Sequence, residues 1–157
     1  MTERPAGTDE DGGHRRFAVD AFNAAWSLID APERTPEQDR QMLTLAFAAR
    51  WHWGEIGTVE NTAVSDWQVA HCASLLGDGP LALWFAHAAL ERVQGPDQPS
   101  WLRASMCEGM ARAHAAAGDR AGYERFVAQA RDLLAQVDDD EDRELIESQL
   151  ATIPPPG

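Results

Sequence analysis

Apolar positions along the chain recur at three- and four-residue spacing, in segments bounded by proline, glycine or a capping residue. Phe17, Ala21, Ala24, Ala25 and Leu28 predict a first helix from about Arg15 to Asp30, ended by Ala31-Pro32. The second has a well-marked start: Thr35 suits the N-cap, Pro36 the first helical position, and Gln38 completes a capping box. Met42, Leu45, Ala46, Ala49 and Trp53 line one side of it, and it stops near Gly54–Gly57. The short loop between the two makes them antiparallel neighbours. After a polar loop, Asn61 or Thr62 caps a third helix that runs to Leu76 and ends at Gly77. Pro80 opens a fourth, which ends before Gly95-Pro96. Ser100 caps a fifth from Trp101 to about Ala117, and Gly118 stops it. Asp119 caps a sixth that runs to about Gln136.

The run Asp138-Asp139-Asp140-Glu141-Asp142 reads as the acidic start of a seventh helix ending near Ala151, since carboxylates there cap free amides and oppose the dipole. The competing reading is an acidic metal- or protein-binding run. No segment has the alternating β-branched pattern of a strand. The expectation is an all-α chain of about seven helices. Residues 1–13 read as a flexible tail, 14–153 as a single helical-repeat domain, and 154–157, with Pro154-Pro155-Pro156, as a C-terminal tail.

The third helix carries two apolar stripes. Val69, Cys72, Ala73 and Leu76 form one; Val64, Trp67, His71 and Leu75 form the other, on nearly the opposite side. Such a helix is sandwiched between neighbours or presents one stripe to a groove.

The chain also repeats itself. Gly77-Asp78 and Gly118-Asp119 lie 41 residues apart, each closing one helix and opening the next. Each is followed by an aromatic eight residues after the glycine (Phe85, Phe126) and by alanine twelve after it (Ala89, Ala130). This resembles the tetratricopeptide repeat, best over residues 62–136. Ala82, Ala89 and Ala130 match the small positions of the family's second helix, and Val69-Ala70-Ala73 and Met110-Ala111-His114 match positions in its first. The stretch Arg50 to Gln68 is also similar to uncharacterised bacterial repeat-like proteins, which brings no activity with it. The resemblance implies antiparallel helix pairs stacked as a short right-handed superhelix. Its concave surface would be lined by the first helix of each pair, so that Trp67, His71, Glu108 and Arg112 face a groove. A helix pair cannot bury its apolar face alone, so three pairs share one core and the last helix caps it.

Charge narrows the range of partners. Thirteen basic residues against 26 acidic ones give a net charge of −13. That leaves no basic footprint for nucleic acid and disfavours an anionic membrane surface, while suiting a basic or amphipathic protein or peptide. No apolar run is long enough to span a bilayer, and residues 1–13 do not read as a signal peptide. Cys72 and Cys107 lie within helices and form no C-x-x-C motif, which suits a reducing, cytoplasmic setting.

The densest candidate chemistry is Trp51, His52 and Glu55, followed by Asn61, Trp67, Gln68 and His71. Residues four apart share a helix face, as do Trp51 and Glu55, or Trp67 and His71. Each tryptophan and histidine has a packing reading beside the functional one. Packing is the stronger for Trp26, Trp84 and Trp101 and for His87 and His114, which sit among alanines. No nucleophile elbow, phosphate loop or metal-ligand set is present, so no catalytic residue, metal or cofactor is assigned. The leading expectation is a protein- or peptide-binding module using the concave surface, with Trp51, His52, Glu55, Asn61, Trp67, Gln68, His71, Glu108 and Arg112 as candidate binding residues. The alternatives are a small-molecule or enzymatic pocket between the second and third helices, lined by His52, Glu55, Asn61, Trp67 and His71, and a homo-oligomeric structural protein, for instance a homodimer.

Overall fold

The computed structural model describes residues 9–157. These form seven helices: α1 (Asp9–Ile29), α2 (Pro36–Ile56), α3 (Val59–Leu75), α4 (Gly79–Arg92), α5 (Ser100–Ala116), α6 (Arg120–Leu134) and α7 (Asp140–Ala151). No strand occurs among the described residues.

The helix boundaries follow from a few side chains. At Thr35 the capping box forms as expected: the Gln38 amide donates to Oγ1 (3.2 Å) and the Thr35 amide to Gln38 Oε1 (2.8 Å). The two Gly-Asp turns are alike. Gly77 and Gly118 have φ of 73° and 74°, the left-handed region that glycine enters without a Cβ penalty. The next amide closes back on the helix, Asp78 to the Ala73 carbonyl (3.0 Å) and Asp119 to that of His114 (2.9 Å). Each aspartate then caps the following helix, through the amide of Leu81 or Gly122. Two residues thus end one helix and start the next.

Four boundaries differ from expectation. Helix α1 starts at Asp9, not Arg15, so residues 9–13 of the expected tail are helical; residues 1–8 lie outside the described residues. Early acids suit a helix N-terminus, and α2, also 21 residues long, offers the extra turns a partner along its C-terminal half. Helix α3 is capped by Thr58, not Asn61 or Thr62, because Thr58 and Asn61 form a reciprocal box that satisfies two amides at once. Helix α5 begins at Ser100 itself, behind Pro99, and no side chain caps it. Past α7 the chain packs back: Ile153 joins the core, Pro156 is buried, and Arg120 donates to the Pro156 carbonyl. The acidic run is a helix start, with Asp139 accepting from the Asp142 amide (2.9 Å).

Cross-helix contacts fix the pairing. His14 early in α1 meets His52 late in α2, Ala63 early in α3 packs with Ala89 and Val93 at the end of α4, and Ala104 early in α5 packs with Leu134 at the end of α6. All three pairs are therefore antiparallel. Alanine sets how close they come. Ala70 and Ala73 of α3, Ala82 and Ala86 of α4, and Ala111 and Ala113 of α5 share one core with Met110, Phe126 and Ala130. A second cluster sets Val69 and Cys72 of α3 against Ala25, Met42 and Ala46. One buried carboxylate, Asp66, accepts from Arg50 Nε of α2 (2.5 Å) and Arg92 Nε of α4 (2.7 Å), tying three helices together. No described helix is long and apolar enough to cross a membrane.

Candidate functional site

Both apolar stripes of α3 are used. Val69 and Cys72 face the first helix pair, while Val64, Trp67, His71 and Leu75 open on a groove of about 680 Å³. Four helices line it: Phe22, Trp26 and Ile29 from α1, with Asp30 just beyond, the α3 stripe, Trp101, Ser105, Met106 and Arg112 from α5, and Asp142, Leu145, Ile146, Ser148 and Gln149 of α7, with Thr152 just beyond. Its walls are mainly aromatic and aliphatic.

The groove wall is held in place by a buried polar chain. Trp67 Nε1 donates to Glu108 Oε2 at 2.7 Å. Arg112 Nε donates to Glu108 Oε1 at 2.8 Å, and Arg112 Nη2 to the Gln149 carbonyl and the Thr152 hydroxyl, each at 2.8 Å. Glu108 is fully buried and Arg112 nearly so. Burying one such charge alone would be costly; each is compensated by the other and by hydrogen bonds. Gly109 makes the arrangement possible. A Cβ there would lie 2.5 Å from Trp67 Cδ1, so only glycine lets the indole lie against α5 and reach Glu108. Glycine inside a helix costs about 1 kcal/mol of propensity, and here the close approach of the indole offsets it.

His71 sits between two indoles, with ring centroids 5.4 Å from Trp26 and 5.7 Å from Trp67, both edge-on. Burial, and to a lesser degree the charges of Arg112 and Arg34, hold its pKa well below the usual value. The ring is therefore neutral, and its Nδ1 has no hydrogen-bond partner.

The nine expected binding residues divide. Trp67, His71 and Arg112 line the groove, and Glu108 anchors it from behind. Gln68 is buried beside it, donating to the Phe22 carbonyl at 3.0 Å. Trp51, His52 and Glu55 do not join them. His52 Nδ1 lies 2.9 Å from His14 Nδ1, with Phe17 and Trp51 around it, on the surface of the first helix pair. Trp51 is 58% exposed and Glu55 is exposed too. Asn61 belongs to the α3 capping box. His52, Glu55 and His71 therefore do not converge, because late α2 packs on early α1 while His71 lies near the C-terminal end of α3. Among the described residues no three His, Cys, Asp or Glu side chains gather as metal ligands would.

Two packing expectations need correcting: Trp84 is 75% exposed and His87 is exposed. Trp26 and Trp101 pack on the core as expected and also line the groove. His114 is structural as expected: it stacks on Phe126 (17° between planes) and bonds Asp119 at 2.9 Å. A signal for Trp26 was present in the sequence, since Trp26 precedes Trp67, and Asp30 precedes His71, by the same 41 residues that separate the two glycine turns. The α7 contribution had no such signal.

Compared with known proteins, the chain matches no family model, no curated protein and no solved structure.

Proposed function

We propose that the chain is a binding module of tetratricopeptide-like organisation whose groove receives the apolar face of an amphipathic helix from a protein partner. One observation carries the reading: side chains from α1, α3, α5 and α7 converge on a single aromatic groove, and its main indole is fixed in advance by Glu108. Preorganised walls lower the entropy cost of docking, and helix-in-groove recognition uses apolar anchors at three- and four-residue spacing. Charge supports basic flanks on the docking helix. The one arginine in the groove is engaged by Glu108, Gln149 and Thr152, whereas Asp30 and Asp142 stand in its lining. A cytoplasmic setting fits the same reading.

Trp67 and Glu108 are too deeply buried to mutate as binding probes. Leu145 of α7 lines the groove while 56% exposed, so Leu145→Glu should leave the melting temperature unchanged. A synthetic amphipathic helix with a Leu/Phe face and arginine flanks is expected to bind saturably and shift the Trp67 indole N–H resonance. Leu145→Glu should abolish that binding, and the same peptide with glutamate flanks should bind far more weakly. Equal binding by the acidic peptide, or by the Leu145→Glu chain, would overturn the reading. The groove volume also falls in the range that encloses small ligands; a small apolar ligand is the second reading, favoured if only compact probes bind.

A further inference from the structure

His71 is a groove wall with unspent polar capacity. A neutral imidazole has one donor and one acceptor, and buried polar groups are as a rule hydrogen-bonded. The indoles of Trp26 and Trp67 lie at steep angles to its ring, and Trp67 Nε1 is committed to Glu108. Nδ1 is enclosed without a partner. An enclosed bare acceptor is tolerated better than an enclosed orphan N–H, which places the hydrogen on Nε2, the nitrogen that is not sealed off. His71 thus offers the groove an uncharged donor set between two indoles. Arg112 adds no further donor, since Glu108, Gln149 and Thr152 engage it.

Resting on the groove reading above, we propose that His71 is its specificity-determining residue. It donates from Nε2 to an uncharged oxygen at the tip of an aromatic anchor, so the docking helix enters with a tyrosine. Phe22, Trp26, Trp67 and Trp101 suit a ring. A carboxylate would be buried there without a free cation, which is costly.

The test compares p-cresol, 4-methylanisole and p-xylene, three probes of similar shape, on the full chain by NMR titration. The preference for p-cresol over p-xylene should be about three- to tenfold greater in the wild-type chain than in His71→Phe, the range one hydrogen bond supplies. 4-Methylanisole, an acceptor only, should keep that preference, and His71→Gln, which retains a donor, should restore part of it. Within the wild-type chain, the His71 Nε2–H resonance should move with both oxygen-bearing probes and not with p-xylene, a reading independent of how the variants fold. Equal preference in the wild-type chain and His71→Phe would overturn the inference while leaving the groove reading intact. If no probe binds but the arginine-flanked peptide does, the inference again falls alone. If neither probes nor peptide bind, both fall.

Discussion

Around Trp67 an indole is clamped from three sides: a carboxylate takes its N–H, a glycine lets it lie against the next helix, and an arginine holds that carboxylate. Around Trp51 a second indole, sixteen residues earlier, meets the rings of His14 and His52 and is largely open to water. Both are aromatic–histidine clusters, and by composition alone they are hard to tell apart. The difference lies in what the backbone brings behind them. Preorganisation comes from buried charge and close helix contact, and only the α3–α5 junction supplies both.

The comparison can be broken most forcefully at Glu108. Glu108→Ala strands Arg112 in the interior and leaves the Trp67 N–H unpartnered, so about 3–5 kcal/mol of stability should go. Trp51→Ala, at an exposed site, should cost less than about 1 kcal/mol. Denaturant melts of the two variants decide it; similar losses would mean the clusters are built alike.

Gly109→Ala sharpens the point next. Alanine gains about 1 kcal/mol of helix propensity, yet its methyl group collides with Trp67, and overpacking of this kind costs typically 1–3 kcal/mol. A net loss of about 1 kcal/mol is expected, with a displaced Trp67 indole resonance. A stabilised variant would show that the indole has room to move.

The smallest effect is titration of His71, which Arg112, Arg34 and the groove carboxylate Asp30 surround. Its folded pKa lies well below the unfolded value near 6.5. Between the two values the unfolded chain holds the extra proton, so stability falls as the pH drops below about 6.5. Lowering the pH from 7.5 to 5.5 should remove about 1 kcal/mol through this residue. His71→Phe should flatten that part of the profile. Identical profiles for the wild-type chain and His71→Phe would remove the contrast.

Much of the fold was legible in the sequence because its determinants are local. Thr35-Pro36-Gln38 starts a helix with nothing distant to help it, and Gly77-Asp78 and Gly118-Asp119 each act within a few residues. Asn61 misled because it is itself a good capping residue, and here it serves instead as the third position of the box that Thr58 opens. The site was half legible. Trp67 and His71 followed from the second apolar stripe of α3, and Glu108 and Arg112 from the concave surface that the repeat resemblance implies. Trp51, His52 and Glu55 were grouped with them because they are near in sequence, although α2 carries them to another face. Leu145, Gln149 and Thr152 depend on the angle at which α7 returns, which no local pattern encodes.

The two thiols have a use of their own. Cys72 packs against the first helix pair and Cys107 in the core shared with α4 and α6. Burial pushes Cys72 up to about 12 and Cys107 up to about 11, so neither is a thiolate at neutral pH while its helix stays seated. The chain therefore carries two built-in alkylation clocks. Each starts only when its own section of the stack opens, and their relative rates would reveal whether the stack comes apart from one end or all at once.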